Sequence, residues 1–244
     1  MSDNDTNDQL VLICGYSANG KSASLRNIRN QDKWYYLSCE AGKKLPFRNK
    51  FQFLKVSDPY QVYEAFDHGK DDPDCEGIII DSLTFLMDMY EAQYVKTAPN
   101  TMKAWGEYGD FFRNMMQSKV VTFNKPVIFI AHVKDLLDEK TMDMKTMVPI
   151  KGSLAGQGVE AFFSTVVAAK KIPLKELEGY KSDLLHISDE EKELGFKYVF
   201  QTRITSKTTG ERIRSPMGLF SKQETYIDND AQILLDHLND FYKE

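Results

Sequence analysis

Residues Gly15-Tyr16-Ser17-Ala18-Asn19-Gly20-Lys21-Ser22 match the pattern G-x-x-x-x-G-K-[ST]. In such a loop the glycines let backbone N–H groups turn inward around a phosphate. Lys21 can reach the β and γ oxygens of a nucleotide, and the Ser22 hydroxyl can hold Mg²⁺. The match follows the apolar run Leu10-Val11-Leu12-Ile13-Cys14 and precedes a stretch that reads as helical. That context favours nucleotide binding over a chance match in a glycine-containing turn.

Four further groups could act on a bound nucleotide. Asp81 ends the apolar run Gly77-Ile78-Ile79-Ile80, where a carboxylate can hold the shell of a phosphate-bound Mg²⁺, or can simply be a strand-end acid. Glu40 follows Trp34-Tyr35-Tyr36-Leu37-Ser38-Cys39 and can orient or deprotonate water, or can be a solvated loop acid. His132 closes Val127-Ile128-Phe129-Ile130-Ala131, a position from which a side chain can touch a γ-phosphate and report it to the segment beyond. A structural histidine is the alternative. Lys207, Arg212 and Arg214 lie in a turn-rich stretch far along the chain; such cations can stabilise charge on a neighbouring subunit's nucleotide, or form a solvated face.

Alternating apolar runs and helical patterns predict an α/β fold, a mostly parallel sheet with crossover helices on both faces. Strands are expected near residues 10–14, 34–38, 51–56, 77–81 and 127–131. Asp58-Pro59 opens a helix expected to end near Gly69. Leu83, Leu86, Met87, Tyr90 and Tyr94, and then Trp105, Tyr108, Phe111, Phe112, Met115, Met116 and Phe123, recur at helical spacing. Those stripes could stack bases, but core packing explains them better.

Residues 133–158 show no strong periodicity and carry Lys134, Lys140, Lys145 and Lys151, the pattern of a functional or mobile segment. Residues 160–169 return to helix and strand, and the charged residues 175–195 read as a surface insertion. A C-terminal β-hairpin is expected from residues 198–205 and from Met217 onward, followed by an amphipathic helix over 231–242.

The chain has 244 residues, net charge −5 and 42% hydrophobic content, which suits a packed core and places any nucleic-acid contact on a local basic strip. Residues 1–8 are polar and acidic and read as a disordered leader, with residues 9–244 forming a single domain. Three widely spaced cysteines suit reduced thiols in a cytosolic protein. No apolar run approaches a membrane span.

In this order the signals resemble the RecA-like recombinase ATPases, and most closely their short phage-encoded Sak-four type single-strand annealing branch. The resemblance rests on residues 15–22, Glu40, Ile78-Ile79-Ile80-Asp81-Ser82, Ile128-Phe129-Ile130-Ala131-His132, and Lys207 with Arg212, and spans residues 10–228. It implies ATP and Mg²⁺ as cofactors, Glu40 as the water-activating carboxylate, and His132 where the bacterial recombinases keep a glutamine sensor. It also implies DNA-binding segments at residues 96–106 and 133–152. Lys207 and Arg212 would act across subunits of a ring or filament on single-stranded DNA, in the bacterial host cytoplasm, with a single-strand binding protein as a further partner. This chain has no appended zinc-bearing domain within its sequence, and its second segment is richer in Met and Lys than in glycine. A helicase-like motor and a nucleotide-gated protein interaction module are the alternatives; a small-molecule kinase lacks its Arg-rich lid here.

Overall fold

The computed structural model describes residues 6–40, 42–139 and 142–243. Lys140 and most of the expected leader lie outside the described residues. Among the described residues ten strands occur in chain order: β1 (Leu10–Gly15), β2 (Trp34–Ser38), β3 (Gln52–Lys55), β4 (Gly77–Asp81), β5 (Val127–His132), β6 (Lys134–Asp138), β7 (Asp143–Met147), β8 (Thr165–Pro173), β9 (Phe196–Gln201) and β10 (Tyr226–Asp228). The main helices are α1 (Gln61–Asp71), α2 (Leu83–Tyr90) and α3 (Thr101–Asn114), with a further helix over Ala231–Lys243.

Eight strands form one sheet in the order β10-β9-β8-β1-β5-β4-β2-β3. Pairings from β8 through β3 are parallel, and β8/β9 and β9/β10 are antiparallel. The expected mostly parallel sheet is present, and in it the strand leading into the phosphate loop is separated from the Asp81 strand by the strand that ends at His132.

The apolar runs become central strands because both faces of the sheet are covered. Leu10, Leu12, Ile78, Ile80 and Phe129 point to one side, into a core shared with α1, α2 and α3. Val11, Ile13, Ile79, Ile128 and Ile130 point to the other, against Leu25 and the helix over Ala231–Lys243. Tyr90, Tyr108, Phe111 and Phe112 are buried, so the aromatic stripes are core. Truncating a fully buried ring such as Phe129 should cost about 3–5 kcal/mol.

Three expectations need correction. After Ser22 the chain makes only a 3₁₀ helix, Ser22–Asn27. The Ser24 hydroxyl donates to the Lys21 carbonyl at 2.6 Å, and Asn30 at φ 50° turns the chain away, so no full α-helix propagates. Residues 133–158 are not patternless: β6 and β7 pair as an antiparallel hairpin. Finally, Met217 is 98% exposed and Gly218 sits at φ 87°. The strand expected there starts only at Tyr226, and residues 202–225 form a long connection. Among the described residues no helix is long and apolar enough to cross a membrane.

Candidate functional site

Strand register assembles the site. Gly15 stands opposite His132 in the β1/β5 pair, and Ser38 stands opposite Asp81 in the β2/β4 pair. The phosphate loop, Asp81, Glu40 and His132 therefore gather at the carboxyl ends of neighbouring parallel strands, where open α/β sheets place ligands.

Both glycines of the loop have a structural reason. A Cβ on Gly15 would meet the Ala169 carbonyl oxygen at 2.7 Å, so the loop could not pass β8 with a side chain there. Gly20 has φ +84° and is flanked by Tyr198 and Asn229 at 3.3 Å from its Cβ position, a conformation and a space that favour glycine. Between them, Tyr16, Ser17, Ala18 and Asn19 form the arch, Ala18 at φ 63°.

Lys21 is 6% exposed. Its ammonium donates to the carbonyls of Gly15 at 2.9 Å and Tyr16 at 2.8 Å, and lies 3.4 Å from His132 Nδ1. Burial lowers its pKa to about 8, against the opposing pull of Asp81 and Glu40. His132 Nε2 lies 3.0 Å from Glu40 Oε1. With the lysine donating to Nδ1, the network assigns the proton to Nε2, which donates to Glu40. The other Glu40 oxygen accepts from Lys43 at 2.8 Å. The His132 hydrogen bond is the main reason the Glu40 pKa falls to about 2, against the opposing effect of burial.

Asp81 is 3% exposed. Its Oδ2 accepts from the Ser22 hydroxyl at 2.8 Å and from Tyr36 at 2.7 Å, while Oδ1 is buried with no partner among the described residues. Burial pushes the Asp81 pKa up, and the two hydroxyl bonds oppose that shift. An orphan carboxylate oxygen beside a serine hydroxyl fits a Mg²⁺ shell: Ser22 and Asp81 would hold the ion, whose chemistry is to neutralise phosphate charge. A cavity of about 480 Å³ lies against Lys21, Ser22, Glu40, Lys43 and His132, and extends to Arg26, Tyr198 and Asn229. Its size suits a nucleotide.

Sequence reasoning missed three members of this network. Tyr36 bonds Asp81; a tyrosine in an apolar strand reads as core, and its hydroxyl gives no separate signal. Thr84 accepts the His132 backbone N–H at 3.0 Å. Lys43, three residues beyond Glu40, could have been found from its charge alone.

The distal cations are not brought into this network. Arg212 donates to the Gln157 carbonyl at 3.2 Å and to Glu160 at 3.0 Å, and Glu160 is 2% exposed. Lys207 pairs with Glu176 at 3.1 Å on the surface. Arg214 exchanges backbone hydrogen bonds with Val166 at 2.8 and 3.1 Å. Arg212 does line a separate cavity of about 230 Å³ that has Gly15, Tyr16 and Asn19 in its wall.

Lys134 and Lys145 lie on the β6/β7 hairpin, and Lys145 pairs with Asp138. The hairpin is tied to the phosphate loop: Asp135 accepts from Tyr16 and, at 2.7 Å, from Thr146.

No curated protein matches this chain. Among solved structures the chain is similar to a RadB recombinase at 16% identity and a TM-score of 0.39, covering 68% of this chain and 76% of that one. A family model described as an AAA domain matches residues 7–208. With the phosphate loop, Asp81, Glu40 and His132 assembled at one sheet edge, the chain belongs to the AAA domain family of P-loop ATPases.

Proposed function

We propose that the protein is a phage-type recombination ATPase that binds single-stranded DNA and promotes annealing or strand exchange as an oligomer, a ring or a filament. The observation that carries the reading is the continuous contact from Lys21 through His132 to Glu40. It links a phosphate-binding cation, a candidate sensor and a candidate water-orienting carboxylate in one hydrogen-bonded path.

Each residue has a stated role. Residues 15–22 cradle the phosphates, with Lys21 on the β and γ oxygens, and Ser22 with Asp81 holding Mg²⁺. Glu40 at a pKa of about 2 is a weak base, so its work is to orient the attacking water through a charged acceptor oxygen. His132 exchanges Lys21 for phosphate and reports the exchange to the hairpin directly beyond it. Lys134, Lys145 and Lys151, with Lys140, contact DNA phosphates, which supply most of the affinity for single strands. Lys207 and Arg212 reach a neighbouring subunit's nucleotide, which for Arg212 requires leaving Glu160.

The test is ATP turnover with and without single-stranded DNA at low salt. Stimulation is expected; a rate indifferent to DNA would count against a recombination role and favour a nucleotide-gated interaction module. Unwinding of a forked duplex would favour a helicase-like motor.

A further inference from the structure

Glu91, in the π-helical turn Glu91–Val95 that continues α2, is 6% exposed yet is engaged by two lysines from separate parts of the chain. Lys151 Nζ lies 2.5 Å from one carboxylate oxygen and Lys96 Nζ lies 3.5 Å from the other. Both lysines keep more than half of their side-chain surface in solvent. The segments that carry them meet here: Trp105 packs over Gly152, and the Tyr108 hydroxyl accepts the Lys151 backbone N–H at 3.4 Å. The Lys151 hydrogen bond also holds the Glu91 carboxyl below its ordinary pKa, so the carboxylate is charged. Asp88, one turn earlier, lies in the field of the same lysines.

We propose that Lys96 and Lys151 form a two-lysine site for backbone phosphates of a single-stranded nucleic acid, and that Glu91 is its built-in competitor. The inference rests on the single-strand reading above. Two ammonium groups on one carboxylate carry a net charge of +1 instead of +2. A phosphate approaching from solvent must draw the lysines from an anion that is already desolvated and cannot follow them. Empty, the site is held closed on Glu91. Occupied, it frees both ammonium groups from Glu91, while the Trp105 and Tyr108 contacts still hold the two segments together.

The experiment is titration of a fluorescent oligothymidylate with the full chain over a range of salt concentrations. Glu91→Gln keeps the shape of the side chain and removes the charge. It is expected to tighten binding several-fold at low salt and to steepen the slope of log affinity against log salt by about 0.7 for each lysine freed. The Lys96→Gln/Lys151→Gln double variant leaves the buried Glu91 carboxylate without its lysines and lowers the melting temperature, so it is assayed well below that temperature, where it is expected to weaken binding and flatten the slope. In that background Glu91→Gln should leave the slope unchanged. Weaker binding by Glu91→Gln with an unaltered melting temperature, or an unaltered slope in the double-lysine variant, would overturn the proposal. If the unmodified protein fails to bind the oligonucleotide at all, the single-strand reading itself falls, and this inference with it.

Discussion

The phosphate loop and the distal connection over residues 202–225 both carry cations, and they treat them in opposite ways. Lys21 is buried with no carboxylate in ion-pair contact among the described residues, its ammonium resting on two carbonyls. Arg212 is matched to the buried Glu160, Lys207 to Glu176, and Lys170 to Glu211 of the same connection. A buried cation without a counter-ion is costly unless a ligand supplies one. The loop is thus built incomplete, for an anion, whereas Arg212 and Lys207 are already paired with carboxylates of the same chain.

Two substitutions should separate these regions most widely. Lys21→Met is expected to abolish ATP turnover while leaving the melting temperature of the nucleotide-free protein unchanged or raised, because it removes a buried charge that no carboxylate pairs. Arg212→Met should do the reverse to stability. It strands Glu160, which among the described residues otherwise accepts only the Val148 N–H at 2.7 Å, and should cost about 3 kcal/mol, roughly 10 °C in a chain of this size. Calorimetric melting of both variants checks the pair. A large loss for Lys21→Met, or none for Arg212→Met, would erase the contrast.

A finer test uses protons. The Lys21 pKa is lowered to about 8 by burial, so its charged form costs stability fully below that value and not at all above its ordinary pKa. Stability from this site therefore rises with pH between the two. Bound phosphates reverse the shift. ATP binding near pH 8 should then take up about half a proton, since half of Lys21 is neutral there. Titration calorimetry in buffers of different ionisation enthalpy measures this uptake, and Lys21→Met should remove it.

The smallest effect is expected at Lys207, an exposed surface pair. Lys207→Ala should change stability by less than about 0.5 kcal/mol. If the residue serves a neighbouring subunit, turnover should fall only under conditions where the protein assembles. Turnover plotted against protein concentration distinguishes the two.

The same contrast governs what could be read from the sequence. Strands β1, β2, β4 and β5 were legible because burial on both faces leaves uninterrupted apolar runs ending in Gly15, Ser38, Asp81 and His132. The site residues follow from those ends, so Glu40, Asp81 and His132 come together as the spacing suggests. The periphery was not legible. β6 and β7 are largely exposed and are held by backbone pairing that no apolar alternation reports. Leu219 and Phe220 are buried in an irregular connection, where apolar residues look like a strand without being one. The hydroxyls of Tyr36 and Thr84 escaped notice because their roles depend on which strand lies beside which.

In the proposed function, the site built around Lys21 hydrolyses ATP with Glu40 orienting the water. The most direct measurement is ATP turnover and nucleotide affinity of Glu40→Gln beside the unmodified protein. Turnover is expected to fall by about 100-fold or more with nucleotide affinity retained. Unchanged turnover would contradict it.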